Sequence, residues 1–412
     1  MARFTTVGRV LTYRNAQIFY GGSLLSWTGL WIQRIAVDWY AWQLTHSPFW
    51  VGVLAFCNLI PSVIVSPIAG AIADRVDRQR MTTVTQLLCG FQALLLIALI
   101  ESGHITVYLL ATLEALLGLV QAFQQPARQC LVPGLVPRSE LTGAVALNSL
   151  TFNLARFIGP AISGPIVALW GVVPAIAVNA ACYAATSASM PLLRLAPEIR
   201  RGRPSGSSVW AEALSGFSYV VRHPGMGPLF LFAASMGLCL RSVPEMLSPF
   251  VAQLFNRGAE GLAIFSSTMG IAALVGGLLV AMRGRVAGLA RVSVGAGSLL
   301  VVATAGFVAT RSFEVAVVCM AVMGAATTMH GIASQTLLQS SCSAPMLGRV
   351  ISLWGMVVRA MPALGALIFG AASELLGLRI PVLVAALLAA GVCLWAWRLL
   401  PRIAQAIEAP PP

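Results

Sequence analysis

The chain has 412 residues, of which 58% are hydrophobic and 9% charged, and its mean hydropathy is +0.85. Soluble domains carry about 25% charged residues. The composition therefore excludes a soluble protein and predicts an all-α polytopic membrane protein. The net charge of +13 would favour nucleic acid in a soluble protein, but here its distribution among loops matters more, and we expect no nucleic-acid partner. The eight cysteines show no CxxC or CxxH spacing, so no metal site or disulfide framework is predicted.

Twelve apolar stretches are long enough to cross the hydrocarbon core of a bilayer, which takes about 20 residues. We predict spans at about 16–42, 49–73, 81–101, 105–125, 145–169, 172–193, 226–252, 260–282, 289–310, 313–337, 350–376 and 379–400. Nineteen arginines then fall in loops and tails on one side and three on the other. Because basic residues accumulate in cytoplasmic loops, both termini are predicted to be cytoplasmic. The fourth span ends at 125 in this assignment, so Arg128 is counted as a loop residue.

Two charge pairs share the same spacing in the two halves of the chain. Arg34 precedes Asp38 by four residues, as Arg241 precedes Glu245, and the two arginines are 207 positions apart. Four residues make about one helical turn, so each pair can form an ion pair on one helix face. The repetition predicts two pseudo-symmetric six-helix halves, which is a known transporter plan.

The predicted halves, residues 1–193 and 225–412, are joined by one long hydrophilic connection at 194–224. Within it, residues 209–221 place apolar side chains at helical spacing, which predicts an amphipathic helix along the membrane surface. We interpret the segment mainly as a tether between the halves, with gating as the alternative.

The stretch from Gly70 to Arg80, between the second and third spans, resembles the loop 2–3 signature of the major facilitator superfamily. In that family the glycine permits close helix packing, and the acid and bases latch this loop to the other half of the protein in one access state. By position, the resemblance assigns that role to Gly70, Asp74, Arg75, Arg78 and Arg80. Asp77 stands where the family usually has a glycine, which changes the local turn.

A second resemblance lies in span five, in the run from Arg156 through Gly159, Pro160 and Gly164 to Pro165. It is similar to the Gly-Pro-rich antiporter motif of facilitator exporters, although ordinary helix packing also uses these residues. Three further stretches, Leu131–Pro137, Pro345–Ser352 and Leu44–Ser47, resemble the enterobactin-exporter branch of the superfamily. This resemblance covers almost the whole chain and implies the twelve-helix facilitator fold and efflux of siderophore-like or drug-like molecules.

The candidates for proton coupling are the acids inside predicted spans, Asp38, Glu114 and Glu245. A carboxyl group in the bilayer can gain or lose a proton as its surroundings change, and such residues usually face a bundle interior or a cavity. A permanent structural ion pair is an equal alternative for Asp38 and Glu245. Glu114 has no obvious local partner in the sequence and is the preferred candidate, with a protonated, hydrogen-bonded acid as the alternative.

Several other polar and aromatic residues inside spans are candidates for the transport cavity. Arg156 and Arg359 are predicted either to reach the lipid headgroups or to contact an anionic substrate. His330 is predicted mainly to form a helix–helix hydrogen bond, with a proton relay as the alternative. Trp27 and Trp31 lie deeper than the other aromatic residues of span one and are candidates for stacking on an aromatic cargo.

The sequence thus predicts a secondary transporter that exports a small organic molecule by alternating access, with protons moving in the opposite direction. The alternatives are a uniporter or importer of the same fold, or a membrane sensor or assembly protein that transports nothing. We find no Walker A, HExxH or GxSxG sequence, so neither an ATP-driven pump nor an enzyme is predicted, and no cofactor is expected. The expected location is the bacterial cytoplasmic membrane, with a monomer as the functional unit.

Overall fold

The computed structural model describes residues 8–73, 75–196, 209–283, 285–343 and 346–408, and these ranges are largely helical. The helices are α1 (Arg14–Thr45), α2 (Pro48–Ala73), α3 (Arg78–Glu101), α4 (Val107–Leu131), α5 (Leu141–Trp170), α6 (Val172–Ser189), α7 (Val209–Arg222), α8 (Met226–Cys239), α9 (Leu247–Phe255), α10 (Ala259–Arg283), α11 (Leu289–Ala309), α12 (Phe313–Ser341), α13 (Leu347–Leu376) and α14 (Arg379–Ile407). Helices occupy all twelve predicted spans, which confirms the predicted fold class.

The seventh span differs from the prediction because its helix is interrupted at the second charge pair. Helix α8 ends at Cys239, a 3₁₀ turn follows at Val243–Met246, and α9 begins at Leu247. Pro244 has no backbone N–H to continue an α-helical ladder, which accounts for a break at this point. The expectation that Arg241 and Glu245 share one face of a continuous helix is therefore wrong.

The fourth span is longer than predicted, and this changes the placement of one arginine. Helix α4 continues to Leu131, six residues beyond the predicted end at 125, with Pro126 inside it. Arg128 therefore lies in the last turn of the helix, and only 5% of its surface is exposed. Its assignment to a loop is wrong.

Eleven helical stretches of the described chain are long and apolar enough to cross a membrane, and α1 is not one of them. Its 32 residues include Gln33, Arg34 and Asp38, which lower its hydropathy. A long helix with polar and charged residues at mid-length lies in a membrane protein only where other helices cover those residues. Helix α1 is accordingly where the candidate site is concentrated.

By internal packing the chain divides into two units. The first contains residues 1–44, 57–206 and 259–263, and the second contains residues 45–56, 207–258 and 264–412. The division after residue 206 falls inside the predicted linker. The start of α2 groups with the second unit and the start of α10 with the first, whereas the prediction assigned each helix wholly to one half.

Equivalent glycines make the same kind of helix crossing inside each unit. A methyl group at Gly118 of α4 would meet the backbone of Asn58 on α2, and one at Gly324 of α12 would meet the backbone of Met269 on α10. Gly118 and Gly324 are 206 positions apart, and Asn58 and Met269 are 211 apart. Small residues let membrane helices approach closely. The two units thus repeat one packing device at nearly the spacing predicted from the charge pairs.

The predicted surface helix of the linker corresponds to α7. Phe217 and Val221 are 61% and 59% exposed, whereas Val220 is buried. Arg349 at the start of α13 donates a hydrogen bond from Nη1 to Ser215 Oγ at 2.9 Å, which holds α7 against α13. Contact of its exposed apolar residues with lipid remains a prediction.

Candidate transport site

Trp31 of α1 contacts two arginine side chains in the first unit. The guanidinium carbons of Arg34 and Arg156 are 5.1 and 5.5 Å from the centre of its ring, within the range of a cation–π contact. Helix α5 reaches Trp31 closely because Gly159 has no side chain: a methyl group there would overlap the Cβ of Trp31 and approach the carbonyl oxygen of Thr28. The antiporter-like motif therefore places Arg156 beside the first helix.

The other residues of this motif also pack tightly. Pro160 is buried within α5, and Ser163 donates to the backbone carbonyl of Ile32 at 2.9 Å. A methyl group on Gly164 would overlap the Cβ of Ala263, which belongs to the first unit. The motif thus serves close packing, and its association with export stays a prediction.

Trp27 makes a contact of the same kind with Arg128, which sequence reasoning missed. The guanidinium carbon lies 4.4 Å from the centre of the Trp27 ring and 5.8 Å from that of Phe19. Arg128 Nη1 donates to Ser26 Oγ at 3.4 Å. Phe152 packs edge-on against Trp27, with the ring centres 5.3 Å apart. Three arginines thus contact the two tryptophans that were predicted to bind cargo.

Glu114 of α4 is buried, with 8% of its surface exposed. Its Oε2 accepts a hydrogen bond of 2.8 Å from Asn58 Nδ2 on α2, and it interacts electrostatically with Arg34 on α1. The crossing at Gly118 brings α2 and α4 together one turn further along, where Ser62 Oγ donates to the Gly118 carbonyl at 3.0 Å. The acid that lacked a partner in the sequence therefore has a neutral amide and an arginine beside it.

A buried chain of amides fixes α1 beside Arg34. Asn179 Nδ2 donates to Gln33 Oε1 at 2.6 Å, and Gln33 Nε2 donates to Gln92 Oε1 at 3.0 Å. These bonds connect α6, α1 and α3, and all three side chains are buried. Polar residues of this kind tie membrane helices together. They determine the rotation of α1 and thus the direction in which Arg34 and Trp31 project.

Asp38 lies one turn beyond Arg34 on α1 and is half-buried. Its pairing with Arg34 and its role in proton coupling stay predictions. In the second unit, Arg241 and Glu245 interact electrostatically even though the helix is broken between them. The backbone N–H of Arg241 bonds to the Met236 carbonyl at 3.1 Å and closes the end of α8.

His330 on α12 is 2% exposed and bonds to the neighbouring helix α11. Its Nδ1 lies 3.0 Å from Ser293 Oγ, and that hydroxyl lies 2.8 Å from Ser334 Oγ. Phe232 packs edge-on against the imidazole at 5.2 Å. The predicted helix–helix hydrogen bond is present, whereas a proton relay and contact of the half-buried Arg359 with substrate remain predictions.

Asp77, the residue of the loop between α2 and α3 that departs from the family pattern, caps helix α3. Asp77 Oδ1 accepts from the backbone N–H groups of Gln79 and Arg80, both at 3.0 Å, and so caps the first turn of α3. Arg78 Nε donates to the Ala73 carbonyl at 3.3 Å. The replacement of glycine by aspartate thus supplies a helix cap.

Other members of the proposed latch have different surroundings. Arg75 and Arg80 are exposed, and they border a cavity of about 1160 Å³ that is otherwise lined mainly by apolar residues of α2, α3 and α4. A methyl group at Gly70 would meet no atom of the described chain within 4 Å, so close packing does not explain this glycine here. Asp74 lies outside the described residues. The latching role of the loop stays a prediction.

A set of long apolar helices that cover charged side chains at mid-length is typical of a multi-pass membrane transporter. Solved structures agree on the fold. The chain matches a POT family transporter in complex with 5-aminolevulinic acid, with a TM-score of 0.79, 12% identity and coverage of 95% of this chain and 97% of that one. It also matches a bacterial homologue of the human lysosomal transporter Spinster, with a TM-score of 0.76, 13% identity and coverage of 98% and 99%.

Sequence comparison gives the family. Residues 11–410 match the transmembrane secretion effector family, and the chain belongs to this family of major facilitator superfamily transporters. The enterobactin exporter EntS of Shigella boydii is 27% identical over 84% of this chain and 82% of its own length. The staphyloferrin A transporter of Staphylococcus aureus is 32% identical, but that match spans 40% of this chain and only 42% of the relative.

Proposed function

We propose that this transporter exports a small siderophore-like or drug-like organic molecule across the bacterial cytoplasmic membrane by alternating access and proton antiport. The named cargoes of its relatives favour siderophore-like molecules, and the resemblance of span five to the antiporter motif favours export. The excess of arginine on one side favours cytoplasmic termini. A monomer is sufficient, because one chain supplies both halves of the fold.

The observation that carries the proposal is the cluster of buried and half-buried charges around Trp27 and Trp31. Three arginine side chains contact these rings or lie beside them, and Glu114 lies in the same unit within electrostatic reach of Arg34. Burying charge in a bilayer is costly, so such residues generally mark a substrate or ion pathway. Flat indole faces next to cations suit a cargo that combines an aromatic ring with polar groups.

Glu114 is the residue that we assign to the proton. Its hydrogen bond from Asn58 satisfies one oxygen without a full counter-charge, and Arg34 is the nearby cation that favours the ionised form. A movement of α1 that withdraws Arg34 would favour proton uptake by Glu114, and its return would favour release. Asp38 and Glu245 are alternative carriers.

Cells that express the wild type, Glu114→Gln, Asp38→Asn or Glu245→Gln provide the test, with Glu101→Gln at the exposed end of α3 as the matched control. Retention of enterobactin and of ethidium is measured after loading. Wild type and Glu101→Gln should lower retention of at least one probe, and Glu114→Gln should restore it. Normal export by Glu114→Gln, Asp38→Asn and Glu245→Gln alike would contradict the proton assignment.

The uniporter or importer alternative predicts probe movement that is indifferent to a pH gradient or that raises retention. A sensor or assembly protein predicts no probe movement by the wild type, even in purified vesicles. If neither probe is transported in cells or in purified vesicles, the result favours a sensor or assembly protein.

A further inference from the structure

Arg128 is a buried cation for which the described chain supplies no acid. It contacts the rings of Trp27 and Phe19 and the hydroxyl of Ser26. The side chains of Tyr183 and Cys89 lie within electrostatic reach, and no carboxylate of the described residues lies within ion-pair distance of it. Cation–π contacts offset only part of the cost of burying a charge. A buried arginine left in this state suggests that an anion from outside the protein completes the site.

The direction of the side chain supports a binding role rather than a lipid contact. Arg128 lies in the last turn of α4, where an arginine would ordinarily extend to the headgroups. Side chains on a helix lean toward its N-terminus, and this one extends back into the unit as far as Trp27 at the middle of α1. The polar end therefore points into the protein.

The same face of α4 carries further unused donors. Gln121 and Gln124 precede Arg128 by seven and four residues, so the three side chains line one stripe of the helix. Gln121 Nε2, Gln124 Nε2 and Arg128 Nη2 are all shielded from solvent, and none has a hydrogen-bond partner within the described residues. Buried donors are normally satisfied. Three unsatisfied donors in a row define a site that lacks its acceptor.

The chemistry of these groups selects the ligand. A guanidinium binds both oxygens of a carboxylate through parallel hydrogen bonds, and the amide N–H groups donate to the same kind of acceptor. Trp27 provides an aromatic face at the guanidinium, and Trp31 provides another one turn further along α1. When an anionic cargo binds Arg128 in place of the Trp27 indole, the face of that indole becomes available to the aromatic ring of the cargo.

We propose that Arg128 and Gln124, with Gln121, form an anion-binding site and that the transported molecule carries a carboxylate attached to an aromatic ring. This inference rests on the proposed transport function and names its substrate class. Arg128 and Glu114 are fourteen residues apart on α4, about 21 Å along the helix, so cargo and proton occupy separate places on one element.

The test compares binding of salicylate and salicylamide, which differ in the carboxylate charge, to the purified full-length protein in lipid nanodiscs. The variants are Arg128→Gln and Arg128→Lys. The matched control is Arg257→Gln. Arg257 also lies over an aromatic ring, with its guanidinium carbon 5.1 Å from the centre of the Phe313 ring, but it belongs to the second unit. Wild type and Arg257→Gln should bind salicylate at least about tenfold more tightly than salicylamide.

Arg128→Gln should bind both probes equally, and Arg128→Lys should keep a reduced preference, because it retains the charge but loses the planar fork. A melting measurement shows that each variant is folded. An unchanged preference in Arg128→Gln, or no preference in the wild type, would overturn the anion site. Because export is measured separately in cells, a wild type that exports a probe but shows no preference for salicylate refutes the site alone. A wild type that binds salicylate selectively but moves neither the cell probes nor the aromatic carboxylate carboxyfluorescein in vesicles refutes the transport function alone.

Discussion

Substitution of Gly118 by alanine tests whether the crossing of α2 and α4 positions the buried acid. The added methyl group would overlap the carbonyl group of Asn58, which is backbone and cannot rotate away. The same crossing carries the hydrogen bonds from Asn58 to Glu114 and from Ser62 to the Gly118 carbonyl. To accept the methyl group, α2 has to move away from α4 and stretch both bonds.

The size of the effect follows from three contributions. Overpacking a tight contact costs about 1–3 kcal/mol, and loss of a hydrogen bond to a charged group costs about 1.5–3 kcal/mol. Alanine recovers about 1 kcal/mol through its higher helix propensity. We therefore expect Gly118→Ala to lower the free energy of unfolding by about 1.5–5 kcal/mol.

Gly21→Ala on α1 is the matched control, because Gly21 is exposed and a methyl group there would meet no atom within 4 Å. It should leave stability unchanged or raise it by up to about 1 kcal/mol. The assay heats the detergent-purified protein and measures the temperature at which its monodisperse chromatographic peak falls to half. A Gly118→Ala protein as stable as Gly21→Ala would refute this view of the crossing.

Three further substitutions test local structure. Asp77→Ala removes the cap of α3 and should cost about 0.5–2 kcal/mol in the same melting assay, whereas Asp77→Asn should keep most of it; equal stability of all three proteins would contradict the capping role. Glu408→Ala should likewise lower the melting temperature, because its carboxylate accepts the N–H groups of Gly288 and Ala290, each at 2.7 Å, at the start of α11; Glu408→Gln should be intermediate, and no change would argue against this contact. Burial lowers the pKa of His223 from its usual 6.5, so folding favours the neutral ring, and the stability it contributes is full above about pH 6.5 and falls as the pH drops toward the lowered pKa. The melting temperature of the wild type should therefore fall more between pH 7.5 and 5.5 than that of His223→Asn, and parallel curves would contradict it.

The positions of the helices were predictable because span length and hydropathy follow directly from the bilayer. The break between α8 and α9 was not predicted, because Pro244 was accepted within an apolar span. A proline can be tolerated inside a membrane helix, as Pro160 is in α5, so sequence alone does not decide between a bend and a break.

The candidate site was predicted in part. Trp27, Trp31, Arg34 and Arg156 were singled out individually. The structure brings Arg156 to Trp31 through Gly159, and Arg34 contacts the same ring. The site around Arg128 was missed because the glutamines that precede it lower the hydropathy and made the fourth span end too early. Their spacing along one helical face was the signal that could have identified them.

The amide chain of Gln33, Gln92 and Asn179 was missed for a different reason. Each is a single neutral polar residue in an apolar span, and pairing across three helices depends on rotations that a pattern does not give. The partner of Glu114 was hidden in the same way, since Asn58 lies 56 positions away.

The central claim, that Glu114 links cargo export to proton entry, is tested most directly in proteoliposomes that have the cytoplasmic face of the protein outward and an acidic lumen. The probe is carboxyfluorescein, an aromatic carboxylate that crosses lipid poorly, and it is quantified after lysis at fixed pH. Wild type should concentrate the dye in the lumen, by up to about tenfold for each pH unit and each proton exchanged, whereas Glu114→Gln should only equilibrate it. Equal accumulation by Glu114→Gln and the wild type, or wild-type uptake that ignores the pH gradient, would contradict the account.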